Sequence, residues 1–330
     1  MAKIALQKTC IIKRFKFLLY KKILMNLKIT GGTSAAAGAF MTLAATFIWS
    51  WNFIIARGIA ESIPPVALSF FRWGTAFLFI LPFSFRAFLK EREAVKKNSG
   101  YIILMAFLSV TLFNTLIYIA GHTTTAINLS LIAISSPVFI ILLSHFILGE
   151  KTPLSGWIGV AVTLTGVLHL ICRGSLSILL SISFSIGDIL ITSAAVIFAL
   201  YSILLKRKPG GIGRMTFLCV TFGIGTAMLL PLFILEHYFY PGTDFTPQVI
   251  TSILYTGIFA SVAAFFLWNR AVEIIGAPKA GMIYYTLPLF SSLWAFLFLG
   301  EQFRLIHLVS MILIISGIIT ATGLINEFRK

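Results

Sequence analysis

Apolar positions along this chain gather into runs of about 20 residues, the length a helix needs to cross the hydrocarbon core of a bilayer. Ten such runs are predicted: 37–57, 66–86, 100–119, 126–147, 154–173, 186–206, 214–235, 247–268, 277–299 and 304–325. Proline, glycine or charge marks the breaks, at Ile63-Pro64-Pro65, Arg86 to Asn98, Gly149-Glu150-Lys151, Lys206 to Gly213 and Tyr240-Pro241-Gly242. Lipid offers no hydrogen bonds to bare backbone, so runs of this kind form helices. The fold class read from the pattern is an all-α integral membrane protein with ten transmembrane helices.

The pattern also repeats. Pro137 is followed twelve residues later by Gly149-Glu150, and Pro288 twelve residues later by Gly300-Glu301. A shift of 151 carries Ala120, Ala126, Ile132, Pro137, Phe139, Leu142, Leu148, Gly149 and Glu150 onto identical residues. A shift of 149 carries Leu81-Pro82 onto Leu230-Pro231, Gly74 onto Gly223 and basic Arg57 onto basic Lys206. The chain therefore divides into an arm at 1–36, one unit at 37–173 and a second at 186–325. Five spans per unit is an odd number, so the second unit is predicted to be inverted relative to the first, as in transporters built from internal repeats.

Composition sharpens this picture. The 330 residues are 58% hydrophobic and 11% charged, against about 25% charged in ordinary soluble domains. The net charge of +16 raises the question of nucleic acid, but its distribution answers it. With both termini cytoplasmic, 22 of the 26 Lys and Arg fall on the cytoplasmic side, which is a positive-inside pattern and needs no nucleic-acid partner. The other side receives Arg57, Arg173 and Arg304, and Arg72 lies within a span. The expected location is the cell (inner or plasma) membrane. The arm holds eight Lys or Arg and no acid. It reads either as a basic segment lying on anionic lipid or as sequence upstream of a start at Met25. Cys10, Cys172 and Cys219 lie far apart, so neither a disulfide framework nor a metal site is expected. No cofactor is expected.

The segment from Ile117 to Leu170 and the segment from Leu267 to Ile318 share the proline and Gly-Glu spacing and a trailing glycine, Gly166 and Gly317. Both resemble the fourth- and fifth-helix block of EamA-type members of the drug/metabolite transporter superfamily. The stretch ALSFFRWGTAFLF, which contains Arg72, resembles that family's second helix. The resemblance implies two five-helix halves around a central cavity. It implies a carrier of small metabolites, amino acids or drugs, often an exporter.

Candidate binding residues are the polar or helix-breaking positions inside the spans. Pro137 and Pro288 fall mid-span at equivalent places, and a mid-helix proline frees a carbonyl. They are read as cavity-lining kinks, with a static kink as the alternative. Arg72 lies about 10 Å inside its span. It serves either as an anchor for an anionic group or as a snorkelling side chain, and Asp188 is the candidate acid for it. Asn52 and Asn114 are buried amides, and Thr111, Asn114, Thr115 and Tyr118 form one helical stripe. Tyr201 and Tyr284 offer aromatic surface with polar tips, and Trp268 is read as an interfacial belt residue. The pairs Gly159/Thr163 and Gly317/Ala321 permit close helix approach, within the bundle or in a homodimer.

The leading function is a secondary transporter of a small-molecule substrate by alternating access, not an enzyme. The alternatives are a membrane-embedded enzyme acting on lipid-like substrates and a passive channel. The enzyme would need a metal-binding acidic pair or a nucleophile beside its base, and neither pattern occurs. GxxxxGK[ST], the mark of an ATP-driven engine, is missing too.

Overall fold

A computed structural model of the chain describes residues 35–59, 62–123, 135–172, 174–180, 186–240, 244–299 and 305–322. Among these residues all regular structure is helical. The first half holds α1 (Ala35–Gly58), α2 (Pro65–Lys97), α3 (Ser99–Ala106), a π-helical turn (Phe107–Leu112), α4 (Phe113–Thr123), α5 (Ser136–Leu148) and α6 (Leu154–Ile171). A short α7 (Leu176–Leu180) leads to the second half. There follow α8 (Ile186–Leu204), α9 (Arg214–Phe239), α10 (Pro247–Gly257), a second π-helical turn (Ile258–Ala263), α11 (Ala264–Ile275), α12 (Ala277–Tyr284), α13 (Leu287–Leu299) and α14 (Leu305–Thr322). Among the described residues, five helical stretches are long and apolar enough to cross a membrane: Pro65–Lys97, Ser99–Thr123, Ile186–Arg207, Arg214–Phe239 and Pro247–Ile275. Large apolar side chains such as Phe40, Leu78, Phe83, Phe146, Leu154, Ile189 and Ile312 stand exposed on the outside. Water would penalise that surface, and lipid does not.

The duplication seen in sequence recurs element by element. α8 starts 151 residues after α1, α9 149 after α2, and α13 and α14 start 151 after α5 and α6. The two π-helical turns, Phe107–Leu112 and Ile258–Ala263, are also separated by 151. Packing follows the same rule. α1 packs on α11 and α8 on α4, α1 on α13 and α8 on α5, while α2 packs on α9 and α6 on α14. Exchanging the two halves leaves this set of pairs unchanged.

The two self-equivalent pairs run antiparallel. Glu236, near the end of α9, accepts from the backbone N–H groups of Val66 (3.0 Å) and Ala67 (2.6 Å) at the start of α2. Glu91, near the end of α2, accepts from Gly213 N–H (2.8 Å) at the start of α9. Each helix thus supplies a carboxylate to its partner's N-terminal donors, which are unsatisfied within the helix and sit at its positive end. α6 and α14 approach backbone to backbone. A Cβ added at Gly159 would fall 2.5 Å from the Gly317 carbonyl, and one at Gly317 would fall 2.6 Å from Thr163 N. The small-residue pairs are therefore used inside the bundle.

Three sequence readings change. The charged stretch after Arg86 is not a loop: α2 runs unbroken for 33 residues to Lys97, about 50 Å. Its Lys-Glu-Arg-Glu-Ala segment is made of strong helix formers, and nothing interrupts it before Asn98. Pro137 and Pro288 are not mid-helix kinks. Each sits in the first turn of a helix, α5 and α13, where a proline has no intrahelical partner to lose. In the second half the break is explicit, because α12 ends at Tyr284 and α13 begins at Leu287. Apolar periodicity cannot reveal such a break, since both half-helices remain apolar. The arm up to residue 34, Met25, Gly300, Glu301 and the first part of the predicted 126–147 span lie outside the described residues.

Candidate functional site

The Gly-Glu motif has a local explanation. Gly149 ends α5 at φ 69°, a left-handed turn that an L side chain resists. The N–H groups of Gly149 and Glu150 fold back onto the carbonyls of His145 and Ser144. The carboxylate of Glu150 is then free to pair with Lys206, just beyond α8. Beside it Arg207 donates to the Ile147 carbonyl at 2.9 Å. Arg214 and Arg270 both meet Glu273, at 3.1 and 3.2 Å. The Glu150 and Arg207 contacts tie the halves together at the end of the bundle richest in basic residues, and the Glu273 contacts brace the second half there.

Above this basic end lies an aromatic floor. Trp49 packs against Phe198, Phe265, Trp268 and Tyr284 with ring centroids 5.5–6.1 Å apart. Trp268 is fully buried and donates its indole N–H to Ser202 (3.2 Å). It is therefore a core residue rather than an interfacial belt residue, which an indole's position in sequence does not reveal. Over the floor is a small cavity lined by Trp49, Asn52, Phe113, Asn114, Ile117, Phe198 and Tyr284, with about 10 Å³ of room, enough for roughly one water molecule. On its far side Ile59, Ile63, Ala67, Leu68, Ile117, Tyr118, Ala120, Ile191, Ala194, Val249 and Ile253 close an apolar cluster. The cavity thus lies between the aromatic floor and this apolar cluster.

Arg72 holds the polar wall of this region. It lies on the buried stripe of α2, with Leu68, Ala76 and Ile80 a turn or two away on the same face, and is 1% exposed. Its Nη1 donates to Tyr118 Oη (2.7 Å), Asn114 Oδ1 (2.9 Å) and Asn52 Oδ1 (3.2 Å). Its Nε donates to Ser261 Oγ (2.7 Å) and its Nη2 to the Ala260 carbonyl (3.2 Å). That carbonyl also accepts from Trp49 Nε1 at 2.8 Å. Ala260 and Ser261 belong to the second π-helical turn, where the wider helix leaves backbone groups for other partners. One arginine therefore joins α1, α2 and α4 to a backbone irregularity in the other half. The guanidinium also lies 5.0 Å from the Trp73 ring centroid, within cation–π range.

Of the eight residues singled out from sequence, Asn52, Arg72, Asn114 and Tyr118 converge in one hydrogen-bonded group, and Tyr284 lines the adjoining cavity. Tyr201 lies elsewhere, donating to Asn269 Oδ1 at 2.9 Å. This pair is the equivalent of Tyr118 and Asn52, with the residue types exchanged between the two positions. Pro137 packs near Gly281, and neither it nor Pro288 lines the cavity. Asp188 is buried but is not among the hydrogen-bond partners of Arg72. Of the stripe, Thr111 turns to the Gly225 carbonyl (3.3 Å) and Thr115 to Ser69 (3.1 Å). Sequence reading missed Trp49, Phe113 and Phe198, although Trp49 stands one turn before Asn52 and Phe113 is next to Asn114. It also missed Ala260 and Ser261, and nothing in the sequence marks a carbonyl that a π-helical turn frees.

The family comparison matches both units separately. The EamA-like transporter family covers residues 36–172 and again 185–323. The chain belongs to the EamA-like transporter family. An uncharacterized transporter of Archaeoglobus fulgidus is 27% identical over 280 residues, covering 84% of this chain and 94% of the relative. The uncharacterized transporter YyaM of Bacillus subtilis is 24% identical over 236 residues, covering 72% and 77%. A solved crystal structure aligns with a TM-score of 0.68 at 17% identity, over 89% of this chain and 99% of that one, a likeness of fold. This EamA protein is a multi-pass membrane protein of a transporter family.

Proposed function

We propose that the protein is a secondary transporter of small metabolites, amino acids or related compounds and drugs among them, working by alternating access in the cell membrane. The carrying observation is the exchange symmetry of the helix pairs, with α2 and α9 antiparallel and capping each other. A second half inverted in the membrane accounts for it. Two inverted copies supply two conformations of similar energy, one open to each side. The small cavity at the junction of the halves is then an occluded arrangement. The end carrying Glu150, Lys206, Arg207 and Arg214 is cytoplasmic, as the positive-inside rule requires, with both termini on that side. Export is the direction the family resemblance implies.

Reconstituted protein tests this. Counterflow of a labelled solute against an excess of unlabelled solute marks a carrier. Conductance without counterflow marks a channel, and chemical turnover of a lipid substrate marks an enzyme. Single cysteines at 150 and 301 test the inversion: thiol reagents confined to one side should reach one of them only, and equal labelling of both from one side refutes the inverted arrangement.

A further inference from the structure

The charge at the site is unanswered. Arg72 is buried, and the five oxygens that receive its hydrogen bonds belong to neutral groups. Among the described residues no ion pair includes it. Neutral oxygens satisfy donors but do not cancel a charge, and a buried cation without an anion is costly at membrane depth. The donors are also unevenly served. A guanidinium has one hydrogen on Nε and two on each Nη. Nη1 faces three acceptors with two hydrogens, while Nη2 has one acceptor, the Ala260 carbonyl that Trp49 shares. A crowded Nη1 and an under-used Nη2 leave this arginine able to exchange partners.

The surroundings define what would complete it. Asn52 and Asn114 belong both to the arginine network and to the cavity wall, so the cavity adjoins the guanidinium's own partners. The remaining wall is Trp49, Phe113, Ile117, Phe198 and Tyr284, which is apolar or aromatic surface. Among the described residues no lining residue is an acid, so an ammonium group would find aromatic faces but no anionic partner, and would stand beside the like charge of Arg72. The second half does not duplicate the charge, because the shift of 149 that aligns α2 with α9 places Thr221 at the position of Arg72.

From this we propose that the site selects small organic monoanions. A carboxylate docks on Arg72 beside Asn52 and Asn114, and an apolar or aromatic body rests on Trp49, Phe113, Phe198 and Tyr284. Cations and zwitterions of the same shape are disfavoured, because their ammonium group finds no anionic partner. This narrows the carrier reading to anionic solutes, setting aside the zwitterionic amino acids among its candidates, and rests on it for access, since the halves must part before such a molecule can enter a cavity of this size.

The test is a series with one body and four head groups: 3-phenylpropionate, 3-phenylpropionamide, phenylalanine and phenethylamine. Each is added to purified protein, with thermal stabilisation read as binding. Labelled 3-phenylpropionate is followed in proteoliposome counterflow. The anion should bind at least about thirtyfold more tightly than the amide or the amine, as expected where a buried charge is paired. Asn114→Asp keeps shape and arginine but places a carboxylate on the guanidinium, so it should abolish anion binding while the protein stays folded. Arg72→Gln should remove the discrimination among head groups. Equal or tighter binding of amide, amine or phenylalanine overturns the proposal, and their counterflow would leave the carrier reading standing. No binding by any member at about 10 mM, the millimolar limit of weak recognition, also overturns it, as does unchanged anion binding in Asn114→Asp. Anion binding without counterflow supports the site and removes the carrier.

Discussion

Arg72 gathers four side chains, those of Asn52, Asn114, Tyr118 and Ser261, from three separate segments, and each neighbour's role is separable by substitution. Tyr118→Phe deletes one hydrogen bond to a charged group and little volume. It should lower stability by about 1.5–3 kcal/mol, read as a fall in the unfolding midpoint of the detergent-solubilised protein. Asn114→Ala removes a network member and Tyr284→Ala opens the cavity wall. Both should impair solute flux while membrane insertion and yield stay near wild type, and wild-type flux in both would take them out of the site. These residues were legible in sequence for one reason: a polar group inside an apolar run must find partners, so its burial in protein is forced. Which partners it finds was not legible. Asp188 was the candidate acid for Arg72, yet the guanidinium turns to neutral oxygens on three helical segments. Trp268 was misplaced on the same ground, because an indole serves a core and a membrane interface equally well.

At the scale of elements, breaks and caps decide the architecture. Pro288 opens α13 and does not interrupt it, so Pro288→Ala should change stability by less than about 1 kcal/mol rather than the roughly 3 kcal/mol tied to a mid-helix proline. An unchanged melting curve checks this, and a large shift in either direction contradicts the first-turn placement. Glu236→Ala strips two backbone donors of α2 of their carboxylate, at about 1 kcal/mol. Glu91→Ala strips one donor at the start of α9, so it should shift the midpoint in the same direction and by less. Gly317→Leu places a side chain against the backbone of α6 and should abolish folded yield, whereas a leucine at lipid-exposed Thr320 should be tolerated. Within the apolar runs of the described residues, helix existence was legible from apolar length. The π-helical turns were not, because one extra residue in a turn alters no apolar pattern. Their reality as a pair rests on the 151-residue offset between Phe107–Leu112 and Ile258–Ala263.

Across the whole molecule, the halves meet along paired helices and at the basic end. The Glu150–Lys206 pair spans them at the basic end, so a disulfide between Glu150→Cys and Lys206→Cys should hold that end shut. In a background lacking the native cysteines, oxidation should suppress flux and reductant should restore it. Flux that survives quantitative cross-linking would show that this end need not open. The sequence by itself determined the solvent, the helices, the duplication and the residues unable to face lipid. Each of these follows from local composition or from spacing carried at a fixed offset. Tertiary structure alone decided that Arg72 joins the first half to a freed carbonyl of the second, that Trp49 and Phe198 floor the cavity, and that an apolar cluster lies on its far side. Those facts depend on contacts between segments up to about 200 residues apart, whose geometry is set by how whole helices pack.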